Sequence, residues 1–133
     1  MSYGSSGRYR EMEVMAMSPA RRVVLLYTHL LVSLKQTRMH IERGEIEART
    51  ERILKAEEII HELAVSLDHE QGGDLAARLA SLYAWLLGQL GQLQLHPEIA
   101  RLDSIFRVVS ELHEAFDTAA GQLEAEPGLR AAS

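Results

Sequence analysis

No cysteine occurs anywhere in the 133 residues. That excludes a disulfide framework, a thiolate metal site and a cysteine nucleophile, and it fits a reducing compartment such as the cytosol. Long hydrophobic runs are missing too. Runs such as Val23 to Tyr27 are far short of the ~20 residues that cross a bilayer. The first residues, MSYGSSGRYREMEV, hold no apolar segment of the kind that directs export. The expected location is therefore the cytoplasm, without membrane insertion. Charge of one sign is scarce as a block: 14 Lys and Arg against 19 Asp and Glu give a net charge of -5, with neither sign clustered. Nucleic acid as a partner is excluded on that ground. Proline is rare, at 19, 97 and 127, and the alternation of Val, Ile and Thr at period two that marks strands is nearly absent.

What is present is helical periodicity. With 47% apolar and 25% charged residues, the chain suits one domain with one core. Ser18 before Pro19 reads as an N-cap followed by proline at the first helical position, where its missing N–H costs nothing. A first helix runs from there to about Glu42, and Gly44 supplies the left-handed residue that ends it. Ile46, Ile53, Ala56, Ile60, Leu63 and Leu67 mark a second helix. Leu75, Leu79, Leu82, Leu86, Leu90 and Leu93 mark a third. After Pro97, Leu102, Ile105, Val109, Leu112, Phe116 and Leu123 mark a fourth. Links this short force each helix back beside its predecessor, so the predicted fold is all-α, an antiparallel up-down four-helix bundle with a flexible N-terminal tail. Its expected parts are a mobile tail over 1–17, the bundle over 18–123 and a disordered end over 124–133.

Catalytic and metal chemistry find no constellation. A di-iron bundle needs Glu-x-x-His on two helices and a Glu from each of the others. Only Glu58 and His61 show that spacing, and His61 sits at the edge of the apolar stripe as a surface residue would. The remaining histidines do not pair at i, i+4, and QGGD lacks the lysine and the strand of a phosphate loop. No enzyme, no metal and no cofactor are expected.

Surplus apolar surface points elsewhere. The first helix carries Val23 to Tyr27, Leu30, Leu31, Val32 and Leu34, an arc wider than the ~100° a core-facing stripe needs. On the third, Ala76, Tyr83 and Leu87 form a second line beside the leucines, with Trp85 on yet another side. A helix buried against two neighbours would also show such an arc, whereas an exposed excess would mark a partner surface. Within the tail, Met12, Val14, Met15 and Met17 mix with charge, a composition that suits either loose occupancy of a groove or an unattached end.

The turn between the second and third helices is worded more specifically than a reversal requires. SLDHEQGGDLAARLASLYAWL, residues 66–86, resembles the LD-x-E-QGG-E/D-x-A-x-x-L-x-x-LY-x-Y block of the FliS family of flagellin-specific export chaperones. Tyr3 and Tyr9 in the tail, Ser18–Pro19, Leu25 to Tyr27, the LKQ at 34–36 and the glycine at 44 agree with that family in order and spacing. The resemblance covers residues 3 to about 123. Thr28 and His29 stand where the family usually has Asp and Gly, and Arg22 where it commonly has an aliphatic residue.

The resemblance implies a four-helix bundle that holds the disordered C-terminal segment of flagellin, prevents premature polymerisation and delivers it to the flagellar type III export apparatus. An export gate protein, an anti-sigma factor or a co-chaperone would be further partners. The alternative is a structural or adaptor bundle that self-associates through the same surplus surface. Expected cargo-binding residues are Tyr9 and Val14 in the tail, Leu25, His29 and Val32 along one side of the first helix, and Leu82 and Tyr83 on the third. In the HEQGG turn, one glycine is expected to close the second helix and the other to admit a neighbouring segment, with Gln71 hydrogen-bonding across that contact.

Overall fold

The computed structural model describes residues 17–125, which form four helices: α1, Pro19–Glu42; α2, Ile46–Val65; α3, His69–Leu95; and α4, Ile99–Ala125. No strand occurs among the described residues. Tyr9, Val14 and the rest of residues 1–16, together with residues 126–133, lie outside the described part. Glu124 belongs to α4, where it receives Arg21.

Local chemistry sets the helix ends. The Ser18 hydroxyl accepts the Arg21 N–H at 3.2 Å, satisfying one of the donors that a helix start leaves unpaired. At the other end of α1, Gly44 adopts φ +66°. Its N–H donates to the Ile41 carbonyl at 3.1 Å, and the Glu45 N–H donates to the His40 carbonyl at 2.9 Å, a Schellman closure.

The HEQGG turn is built differently from the sequence expectation. Neither of its glycines closes α2. That helix ends at Ser66, whose N–H donates to the Glu62 carbonyl and whose hydroxyl donates to the Leu63 carbonyl. Asp68 then caps α3 by accepting the N–H groups of Glu70 and Gln71, each at 3.1 Å. One helical turn follows, and Gly73 breaks it with φ 49°, ψ -126°. That pairing mirrors the first central residue of a type II turn and is open to glycine alone among L-residues. Gly72 is small for another reason: a Cβ there would lie 2.8 Å from the Cβ of buried Ala76. Gln71 is exposed, and its side chain makes no hydrogen bond among the described residues.

The core is a single seam along the bundle axis, drawn from Tyr27, Leu30 and Leu34 of α1, Ile53, Ile60 and Leu63 of α2, Leu86, Leu90 and Leu93 of α3, and Leu102, Ile105 and Val109 of α4. α1 packs closely against both α2 and α4, α2 against α3, and α4 against α3 most loosely. Polar ties reinforce the α1–α4 seam. Arg21 reaches Asp117 at 2.6 Å and Glu124 at 3.0 Å, Thr28 meets His113 at 3.0 Å, and Arg38 pairs with Asp103. The start of α1 therefore lies beside the end of α4 and its end beside the start of α4, the antiparallel up-down arrangement predicted.

Candidate functional site

The α1–α2 pairing leaves a crevice at one end of the bundle. α1 starts there at Pro19 and α2 finishes there at Val65. The result is a groove of about 460 Å³ floored by Val23, Leu25, Leu26 and Pro19, with Arg22 and His29 on the α1 side and Glu62 on the α2 side. Val23, Leu25 and Leu26 are half-buried, and Arg22, His29 and Glu62 are exposed. Such a surface suits an apolar guest held by burial, with charges of both signs at the mouth to steer it. Arg22 also donates to the Met17 carbonyl at 3.2 Å, so the chain enters α1 alongside the groove.

A depression of about 520 Å³ at the opposite end, over Gly44 and Ile46, is walled by Glu45, Glu47 and Glu51. It offers carboxylates and less apolar wall than the α1–α2 groove, which is the better candidate.

The candidate residues sort by position. Leu25 and His29 come together in the groove. Val32 is 46% exposed, one further turn along the same side of α1. Leu82 is half-buried at the flank of α3, and it lines no part of the groove.

Tyr83 is a core residue, 2% exposed. Its hydroxyl lies 2.6 Å from that of Tyr27, and Tyr27 in turn stacks on Phe116 with ring centroids 5.3 Å apart. Burial, first of all, pushes both phenols above the usual tyrosine range, and for Tyr27 the bond to Tyr83 adds to it. Both rings stay neutral at ordinary pH. The correction has a physical cause. Ala76, Leu79, Tyr83, Leu86, Leu90 and Leu93 are the buried residues of α3, spaced three and four in strict alternation, which keeps a straight seam toward the neighbours. A series through Leu75 and Leu82 slips off that seam, and Leu75 is 64% exposed.

Sequence reasoning missed Val23, Leu26, Arg22 and Glu62 as groove residues. Arg22 lies one turn before Leu25, Leu26 one turn before His29 and Val23 one turn before Leu26, so all three were legible from helical spacing. Glu62 becomes visible only when the antiparallel pairing of α1 with α2 is used to set the end of one helix beside the start of the other.

Comparison with known proteins gives the same direction throughout. The family model described as flagellar protein FliS matches residues 2–123. The flagellar secretion chaperone FliS of Salmonella typhimurium is 30% identical over 107 residues, covering 80% of this chain and 79% of that one. The protein of the same name from Vibrio cholerae is 30% identical over 118 residues, covering 86% and 87%. Among solved structures, a crystal structure of a bacterial flagellar chaperone superposes with a TM-score of 0.74 at 20% identity, over 92% of this chain and 99% of that chain.

Proposed function

Because this chain belongs to the FliS family of flagellar secretion chaperones, we propose that it binds the disordered C-terminal segment of flagellin, prevents its premature polymerisation and delivers it to the flagellar type III export apparatus. The chaperone role in flagellar export, and the lack of an enzymatic one, come with the family. Flagellin as cargo, the hand-over and a cytoplasmic location are our reading. No helix among the described residues is long and apolar enough to cross a membrane.

The observation that carries the reading is the α1–α2 groove. It gives Leu25 and His29 an apolar floor and a charged mouth, a surface on which a disordered segment can order. Ordering a flexible cargo costs several kcal/mol of the gross interaction energy. Complexes of this kind stay reversible, which delivery requires. Leu25, His29 and Val32 are assigned to cargo contact. Leu82 is assigned to a flanking contact on α3, and Tyr83 to holding α3 from inside. Tyr9 and Val14 are assigned to a tail segment that covers the groove and gives way to cargo, since the chain reaches α1 at Met17 beside Arg22.

Mixing the chain with a flagellin C-terminal segment and measuring mass in solution tests this. One segment bound per bundle is the expected result. A bundle that ignores the segment and dimerises regardless would be the self-associating adaptor instead.

A further inference from the structure

Of the four Lys and Arg side chains on α1, three are engaged within the bundle. Arg21 holds Asp117 and Glu124, Arg38 holds Asp103 and Glu42, and the Lys35 ammonium sits 6.0 Å from the centre of the Phe106 ring. Arg22 differs. Its Nη1 donates to the Met17 carbonyl at 3.2 Å, while its Nε and Nη2 have no hydrogen-bond partner among the described residues. Glu62 lines the same groove from the α2 wall, yet Arg22 and Glu62 form no ion pair with each other.

That placement selects a ligand. The bond to Met17 steadies one corner of the guanidinium and leaves the edge formed by Nε and Nη2 as a fork, the arrangement that takes both oxygens of a carboxylate. The neighbouring Arg21 uses its own edge in this way, donating from Nε and Nη2 to the two oxygens of Glu124 at 3.0 and 3.2 Å. Across the groove, Glu62 repels an anion from the α2 wall. A carboxylate entering the mouth is therefore steered to Arg22.

We propose that Arg22 binds the terminal α-carboxylate of the export cargo, with the last apolar side chains of that C-terminal segment on Val23, Leu25 and Leu26. The inference rests on the cargo reading above and assigns a specificity-determining residue to that groove. Position selects a chain end over an internal acid. The groove lies where α1 starts at Pro19 and α2 finishes at Val65, so neither helix continues the floor beyond it, and an occupant that stops there leaves nothing stranded. A helical segment ending at Arg22 also brings the negative end of its own dipole to the guanidinium.

Two flagellin C-terminal segments of one sequence, ending in a free carboxylate or in a carboxamide, test this by calorimetric titration of the full chain at low ionic strength. The free acid should bind the wild type about fivefold more tightly, an advantage that shrinks as salt is raised. Arg22→Gln should bring the acid down to the level of the amide and leave the amide where it was. If Arg22 serves only to hold Met17, the substitution shifts both segments alike, which would overturn the proposal. Equal affinity of the wild type for the two segments also overturns it, and the cargo reading stands. So does a preference for the acid that survives Arg22→Gln, since the carboxylate is then held elsewhere. Should neutralising an internal Asp or Glu of the segment abolish the dependence on Arg22 while amidation changes nothing, the ligand is a side-chain carboxylate and the terminal one is overturned. If neither segment binds the wild type, the cargo reading falls and the role of Arg22 with it.

Discussion

α1 and α3 carry the two widest apolar arcs in the chain, and the fold disposes of them in opposite ways. α1 lies between α2 and α4 and is tied to α4 by Arg21, Thr28 and Arg38. Its surplus side chains Val23, Leu25 and Leu26 fall into a crevice bounded by the end of α2. α3 is held by one straight seam and sits loosely against α4. Its surplus, Leu75, Trp85 and Leu95, is exposed. A wide apolar arc therefore means one thing where a neighbouring helix ends beside it and another where none does. The neighbour decides, and no single helix carries that information.

The largest effects test the line between seam and surplus. Leu86, fully buried on α3, should lose about 3 kcal/mol of stability as Leu86→Ala. Trp85, the next residue, should lose less than about 0.5 kcal/mol as Trp85→Ala. Equal shifts in urea midpoint would mean that the outer face of α3 is part of the core and that the contrast with α1 is false.

A second pair of substitutions concerns how each helix begins. α1 starts on a cap that Ser18→Ala weakens by about 1 kcal/mol. α3 starts on a bend that only glycine permits, so Gly73→Ala should cost about 2 kcal/mol through its φ of 49° and ψ of -126°. Gly72→Ala should cost about 1 kcal/mol or more, because its Cβ meets Ala76. Gln71→Ala, with the side chain exposed, should leave the midpoint unchanged. A loss at Gln71 as large as at the glycines would restore the contact expected from the sequence and remove the bend as the reason for the motif.

Binding sharpens the α1 side. Leu25→Glu should weaken capture of a flagellin segment by more than ~1.4 kcal/mol, a factor of ten, while changing the unfolding midpoint little, since Leu25 is only half-buried. Calorimetric titration and denaturation of the same variant separate the two. A variant that fails to fold would place Leu25 in the core and take the groove away from α1.

Much of this was legible in the residues. Ser18–Pro19 and Gly44 marked the bounds of α1 because capping chemistry is local, and the apolar spacing located four helices because periodicity is local too. The facing of α3 was less legible. Leucine at 75 and 82 outweighed alanine at 76 and tyrosine at 83 on hydropathy, while the strict three-four alternation through Ala76 and Tyr83 was the better guide. The partner that makes Tyr83 comfortable inside is Tyr27, 56 positions away in sequence. The Glu62 wall of the groove likewise depends on a pairing of helices rather than on any one segment.

That hydroxyl pair gives a small effect at neutral pH and joins the two helices directly. Tyr27 and Tyr83 share one hydrogen bond at 2.6 Å, so each ring satisfies the other across the core. Tyr27→Phe or Tyr83→Phe should each cost about 1 kcal/mol by leaving a buried hydroxyl alone. The double Phe variant should cost no more than either single change, because it removes both polar groups together. The pH dependence has a fixed sign. Burial raises both phenols above their unfolded value near 10, so their contribution is fully present below pH ~10 and is lost as the pH climbs through the folded values, at about 1.4 kcal/mol per pH unit for each tyrosine. Urea midpoints of the wild type should hold between pH 8 and about 9.5 and then fall steeply, whereas the double Phe variant should show a shallower fall over the same range. Identical alkaline profiles for the two proteins would mean that the hydroxyls are not buried together, and the seam that turns α3 outward at Trp85 would need another anchor.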